Sequence, residues 1–466
     1  MAFFMMPLHQ EMKLLHQQLL TQFSAETITQ LAIDTKFIQR TRKLTAMDSL
    51  LLFVFSSKHL SKSSLEKLST HLEKVTGKEI SAEGLNQRFN WRTVVFLQAI
   101  FERLLQTKCL HSFQKLMKYS TIFEKIRVLD STAFQIPDAY ADWFPGTGCT
   151  SVKFQIEFEL LSGQFTHAHF EPGRVHDAKT GNQLSQTIQP KELILRDLGY
   201  FNLEELDKLN TKGQRYFISR LRNNAIVYTK NATPSYYPNG KIVKNTEFHR
   251  QTIQALAETV PLNETKEFEG FYVGKANVKM PVRLVICHFT PAQQEKRLAR
   301  MNEIERVKGR HYKEKTKEMS AYGMYITNLP IEIEKDEIYQ IYSLRWQIEL
   351  FFKVWKSTMN LVSCKPMKIE RFICYFYSQL IRVILCTMIT YQMRYILWEK
   401  SQKELSEMKG IELFFDNLVD IYLAMKESTE SVVQALIRIF HQLERNGIKS
   451  RKKGKPTFQQ LIGTLQ

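Results

Sequence analysis

The six cysteines, Cys109, Cys149, Cys287, Cys364, Cys374 and Cys386, include no C-x2-C pair. That excludes the spacing of a zinc ribbon and gives no disulfide framework, so a reducing cytoplasm is the expected compartment. The segment Met1 to Gln10 has neither a charged n-region nor a long apolar stretch ending in a small-residue cleavage site, so export is not expected. There is no internal repeat and no extended low-complexity segment. Long apolar runs suited to a membrane are also lacking: Leu50 to Phe55 is too short, and Phe372 to Trp398 carries Gln379, Arg382, Gln392 and Arg394. A buried helix of a soluble protein is predicted there. Acid is scarce relative to base, 47 Asp+Glu against 65 Lys+Arg, for a net charge of +18 and a pI near 9.4. That balance points towards polyanionic partners, although basic proteins also bind membranes or nothing. What the chain does have is length and apolar mass: 466 residues, 44% hydrophobic and 12% aromatic, enough for about three domains with sizeable cores.

Residues 1–120 read as helical. Ser64 precedes Leu65, Leu68, Leu72 and Val75 at helical spacing, Gly77 ends the run, and Ser81 is placed to cap a second helix with Leu85 and Phe89. Such a pair is a candidate DNA-reading unit, and Lys36, Arg40, Arg42 and Lys43 form a basic run nearby. From about residue 124 the pattern turns to strands. A short run from Ile126 ends in Asp130, a hairpin joins Thr150–Leu161 to Gln164–Phe170 through Ser162-Gly163, and a helix is predicted over 177–187. Glu192 to Asp197 is a second apolar run ending in an acid, followed by a helix from Leu203 to Leu209 and a strand over 214–220. Residues 225–290 are β-rich, with a turn at Asn239-Gly240 and strands at 267–273 and 281–289. One basic helical stretch is predicted over 293–319, with nine Lys/Arg against five Glu, then a strand at Tyr322–Thr327. Helices follow to about 445, then a tail with Arg445, Lys449, Arg451, Lys452, Lys453 and Lys455.

Two strands that each deliver an acid at the C-terminal end form a recurring arrangement, because ligands collect at that edge of open sheets. The third candidate acid lies in Tyr342-x2-Arg345-x3-Glu349-x6-Lys356. Read as one helix at ~100° per residue, these four side chains fall within an arc of about 60°. Ile341, Leu344, Ile348, Phe351, Phe352 and Trp355 cluster on a neighbouring face suited to a core. One carboxylate, two cations and a phenol on one face suit a metal beside a phosphate backbone. Asp130, Asp197 and Glu349 lie 67 and 152 positions apart, so only a fold could bring them together. Three convergent carboxylates would supply hard oxygen ligands for one or two Mg2+ ions.

These residues resemble the DDE transposases of bacterial insertion sequences, specifically insertion-sequence family four, whose signature is Y-x2-R-x3-E-x6-K. All four signature positions match. Asp130-Ser-Thr132 resembles the first-aspartate motif, Asp197-x-Gly199-Tyr200 the second, and the β-rich insertion falls where that family places one. The resemblance implies an α/β class: a ribonuclease-H-like mixed sheet flanked by helices, with a helical N-terminal domain and an inserted β-rich subdomain. The implied divisions are 1–120, helical and DNA-binding; 121–224, the first catalytic part; 225–290, the insertion; 291–400, the basic helix and second catalytic part; and 401–466, C-terminal helices and tail. It further implies that Asp130, Asp197 and Glu349 are catalytic metal ligands for two Mg2+ ions, with Mn2+ as a substitute. Tyr342, Arg345 and Lys356 become contacts to DNA phosphates. The implied partners are double-stranded DNA, namely the element's terminal inverted repeats and its target, with a homodimer in the synaptic complex, no membrane, and a cytoplasmic, nucleoid-associated location.

Two rivals remain at this level: a related nuclease that cuts without strand transfer, and a catalytically silent DNA-binding protein descended from a transposase. The intact acids argue against the second. His167, His169, Glu171, His176 and Asp177 look like a metal cluster, but their spacing matches no zinc motif and a structural or surface role is expected. Asp138 and Asp142 are expected in a loop, and Cys287-His288 is isolated.

Overall fold

The computed structural model describes residues 6–40, 44–56, 63–275, 278–309, 311–359, 361, 364–450 and 456–463. Arg42, Lys43, Arg451, Lys452, Lys453 and Lys455 lie outside them. The chain packs into two compact units: Met1–Lys118, Asp130–Val175 and Trp346–Gln466 form the first; Tyr119–Leu129 and His176–Arg345 form the second.

In the first unit the predicted helix pair is present. Ser64 accepts a hydrogen bond from Lys67 N and opens Leu65–Thr76; Gly77, at φ 70°, closes it. Ser81 caps Ala82–Arg88, while Phe89 lies just past that helix and is fully buried. The left-handed backbone at Gly77 suits glycine, which has no Cβ to clash. The core is organised by Ile369–Ser401, apolar on nearly every side and therefore packed on every side. Several of its polar residues find partners inside the protein. Gln392 accepts from His111 N at 2.7 Å and donates to Ser162 O at 2.9 Å. Arg394 pairs with Glu404 at 2.9 Å and Glu407 at 3.0 Å, and Arg382 lies 4.6 Å from the Phe415 ring.

The strands of this unit are the second part of β1 (Lys125–Gln135), β2 (Ser151–Glu159) and β3 (Gln164–Pro172). β2 and β3 form the predicted antiparallel hairpin. Gly163 turns it at φ 82°, and a Cβ there would collide with the Tyr391 side chain, so the turn needs glycine for both backbone and space.

The second unit holds the first part of β1 with β4 (Glu192–Arg196), β5 (Tyr216–Arg220), β6 (Ile226–Lys230), β7 (Phe248–Thr252), β8 (Thr265–Lys275), β9 (Val278–His288) and β10 (Tyr322–Thr327). Strand order is β3-β2-β1, and from β1 onward β4-β5-β10-β9-β8-β6-β7. β1, β4 and β5 are parallel, and β10 is antiparallel to β5. This mixed sheet with flanking helices is the predicted α/β, ribonuclease-H-like class. The β-rich insertion is continuous with it, since β9 pairs along six residues of β10. Arg283 on β9 strengthens that continuity: it binds Glu267 in a fork at 2.6 and 2.8 Å and donates to the carbonyls of Leu329, Pro330 and Ile333.

Three local expectations change. β1 runs to Gln135, so Asp130 lies inside the strand instead of at its end. The basic stretch divides into Pro291–Lys308 and Glu314–Glu318, because Gly309 adopts φ 61° and ends the first helix. The signature helix also divides, into Lys335–Ser343 and Trp346–Met359. At the junction the ladder tightens to Leu344 N→Ile341 O at 3.0 Å and Arg345 N→Tyr342 O at 3.1 Å, each bond spanning three residues instead of four.

Candidate active site

Asp130 and Asp197 are placed by the β1–β4 ladder. The register runs from Lys125↔Glu192 to Leu129↔Arg196, and the next residue in each chain segment is an aspartate. Parallel pairing thus carries two segments 67 positions apart in sequence to the point where each continues into its aspartate. Below them Arg127 and Glu192 form a buried pair at 2.8 Å. Burial opposes the charged form of Glu192, but hydrogen bonds from Gln189 N–H and Arg127, with the charge of Arg127, outweigh it and hold the carboxyl below its ordinary value.

Both aspartates are half-buried. Ser131 N donates to Asp130 Oδ1 at 2.8 Å. Asp197 opens a short 3-10 turn, Leu198–Tyr200, in which Tyr200 N donates to Asp197 O at 3.0 Å and Tyr200 itself is buried. The preceding residue, Arg196, is buried and donates through Nη1 to Gly181 O at 2.9 Å and to Ser185 Oγ at 2.8 Å. Sequence reasoning assigned Arg196 no role. The available signal was a cation closing an apolar run, next to a candidate acid.

Glu349 is half-buried in the first turn of Trp346–Met359, where the positive end of the helix dipole favours a carboxylate. Lys356 is exposed two turns further on, about 10 Å along the same side of the helix. Phe351 and Trp355 of this helix pack on Phe158 and Phe165 of the β2–β3 hairpin, with ring centroids 4.8 to 6.5 Å apart. Lys356 Nζ lies 5.9 Å from the ring of Phe134. Phe134 is four residues beyond Asp130 in β1 and so shares its strand face. The glutamate helix and the strand that carries the first aspartate thus meet at Lys356 and Phe134.

Tyr342 and Arg345 belong to a different setting. Tyr342 is 4% exposed, and its hydroxyl donates to Arg196 O at 3.2 Å. Its ring packs against Tyr325 with centroids 5.3 Å apart. Burial pushes its hydroxyl up to about 12, against the opposing pull of Arg345. Arg345 is 8% exposed, with its guanidinium 6.0 Å from the Tyr342 ring. The expected single helix through all four positions is therefore divided: the first helix packs among the second unit's strands and the next on the hairpin aromatics.

Among the described residues no group of three or more His, Cys, Asp or Glu side chains is gathered closely enough to hold a metal ion, the histidines at 167, 169 and 176 included. The donor chemistry of the three acids is nevertheless all carboxylate oxygen, which fits a hard divalent cation that completes its shell with water and phosphate oxygens.

The model of the transposase DDE domain matches residues 121–383. This chain belongs to the DDE transposases of insertion sequences. The transposase of element IS231F from Bacillus thuringiensis subsp. israelensis is 35% identical over 463 residues, 98% of this chain and 96% of that one. The transposase of IS1151 from Clostridium perfringens is 31% identical, covering 98% of each chain. A solved piggyBac transposase synaptic complex with hairpin DNA aligns at TM-score 0.45 and 10% identity over 95% of this chain and 87% of that chain, too slight a likeness to carry an argument. DDE transposases cleave DNA and transfer strands, and the family uses divalent metal ions.

Proposed function

We propose that Asp130, Asp197 and Glu349 together hold two Mg2+ ions, replaceable by Mn2+, and that the transposase uses them to cut DNA at the ends of its own element and join those ends to a target. The observation that supports this reading is the β1–β4 register, which ends at Leu129↔Arg196, one residue before each aspartate; Lys356, on the helix bearing Glu349, meets Phe134 of the Asp130 strand. When bound, such ions acidify a water or a 3′-hydroxyl and stabilise the leaving oxygen. The chain's own contribution is to hold three half-buried carboxylates where charge interactions are stronger than in bulk water.

Lys356, exposed beside Phe134, is a phosphate contact at the element end. Arg345, 8% exposed, leaves a phosphate little room for contact. Exposed Lys296, Lys313 and Lys315 of the basic segment track the DNA backbone, whereas Arg306 and Lys317 are paired with Glu303 and Glu305. The capped pair Leu65–Thr76 and Ala82–Arg88 reads the terminal inverted repeats. Joining two ends requires two catalytic centres, hence a homodimer in the synaptic complex. The cytoplasm, at the nucleoid, is the proposed location.

The test is Mg2+-dependent cleavage and strand transfer on DNA carrying the element's own terminal repeats, with native protein and Glu349→Gln compared, and binding measured in EDTA. Loss of both reactions with binding retained supports the triad. Cleavage without transfer in the native chain indicates the nuclease, and equal activity in both proteins, or none in either despite tight binding, sinks the reading.

A further inference from the structure

In parallel sheets each strand's peptide groups are held by its neighbours, and where the pairing stops another partner must take over. β4 reaches that point at Arg196. Its pairing with β5 ends one residue earlier, at Leu195↔Ile218, and its pairing with β1 ends at Arg196 itself. The next residue is Asp197. A strand end left loose here would let the aspartate wander by more than the roughly 0.5 Å that a catalytic ligand tolerates.

Two side chains tie this peptide down. Arg196 binds its own guanidinium to Gly181 O and Ser185 Oγ, at the helix Asp177–Ser185. Tyr342 reaches the Arg196 carbonyl at 3.2 Å from the helix Lys335–Ser343. On the far side of Asp197, the Tyr200 N–H closes the turn on Asp197 O. The acid is therefore bracketed by fixed groups on both flanks.

We propose that Tyr342 is a positioning residue for Asp197: its phenol takes the place of a sheet neighbour at the end of β4 and fixes the peptide from which the aspartate projects. The inference rests on Asp197 being a metal ligand, as argued above. It assigns Tyr342 a role different from a phosphate contact. A phenol 4% exposed and already donating to a carbonyl reaches a phosphate only by breaking that bond and leaving its packing against Tyr325. Burial raises the hydroxyl to about 12, so it remains a donor throughout the physiological range. Groups bonded directly to a metal ligand typically change metal affinity by about 10- to 100-fold on substitution, and a bond to the preceding peptide belongs at the low end of that range.

Tyr342→Phe removes the hydroxyl and keeps the ring, so the packing on Tyr325 survives. The full-length variant is compared with the native chain in three measurements: affinity for element-end DNA in EDTA, Mn2+ concentration for half-maximal cleavage, and hydrogen exchange at the Tyr200 amide. Expected are unchanged DNA affinity with an unchanged salt slope, a rise of about tenfold in the Mn2+ requirement, and faster Tyr200 exchange. A fall in DNA affinity in EDTA, with the Mn2+ requirement unmoved, overturns the inference in favour of a phosphate contact. No change in either affinity or Mn2+ requirement overturns it as well. Asp197→Asn keeps the two ideas apart: if that variant still cleaves, the ligand assignment itself fails, whatever Tyr342→Phe does.

Discussion

Tyr342 and Arg345 are 4% and 8% exposed at the end of a helix lodged among the strands of the second unit. Glu349 and Lys356, the other half of the same signature, are half-buried and exposed on a helix of the first unit. A motif continuous in sequence thus divides at Leu344–Arg345 into a buried half and an open half. The buried half acts chiefly through what it touches, and for Tyr342 that includes the backbone at Arg196. The open half can meet solvent, ions and phosphates. Residues spaced as one constellation therefore divide the work between holding a site in shape and carrying out its chemistry.

The sharpest way to break this comparison is at Glu349. Glu349→Gln is expected to lower cleavage on the order of 10³-fold or more, ~4 kcal/mol in the barrier, while thermal unfolding is nearly unchanged because the side chain is only half-buried. Retained cleavage would place Glu349 outside the chemistry. Next in size is the support beneath the aspartates. Glu192→Gln leaves Arg127 buried without its carboxylate, and denaturant unfolding is expected to show a loss of about 3 kcal/mol. The pH dependence has a defined sign. The folded-state pKa of Glu192 lies below its ordinary 4.5, so its stabilisation is fully present above 4.5 and is lost as pH falls through the folded value. The Gln variant should show a shallower loss of stability on acidification, measured by midpoints across pH 6 to about 3. An unchanged acid profile would count against this assignment.

Smaller effects separate the two halves. Arg345→Ala, which removes a buried guanidinium and its packing by the Tyr342 ring, is expected to cost about 2 kcal/mol in unfolding measurements. Lys356→Ala should change stability by under about 0.5 kcal/mol, yet weaken end binding and reduce the salt slope by about one. If Lys356→Ala destabilised the fold while Arg345→Ala weakened DNA binding alone, the division into buried and open halves would be reversed.

Much of this was legible from residue pattern. The hairpin around Gly163, the capped helices at Ser64 and Ser81, the strands before Asp197 and the buried nature of Phe372 to Trp398 all follow from local periodicity and turn chemistry. The extent of β1 beyond Asp130 was not legible, since a strand's length depends on the neighbours that pair with it. Nor was the continuity of the insertion with β10: a β-rich pattern does not say which edge it joins. The helix reading of the signature failed for a related reason. Periodicity favoured one helix through Tyr342 to Lys356, but the apolar residues on either side of Leu344 pack on different partners, and the ladder tightens between them. Arg196 and the Arg127–Glu192 pair appeared in sequence only as charges among apolar residues, without partners.

Sequence by itself determined the chemical inventory: three acids in order, the signature, the basic excess and the alternation that builds an α/β sheet. Those depend on residue type and short-range spacing, which the chain carries at every position. Tertiary structure decided which side chains are sealed and which are open, because burial and hydrogen bonding are properties of surfaces brought together from distant positions. The phenol of Tyr342, 146 residues from Arg196 along the chain, becomes that residue's hydrogen-bond partner only when its helix docks beside the end of β4.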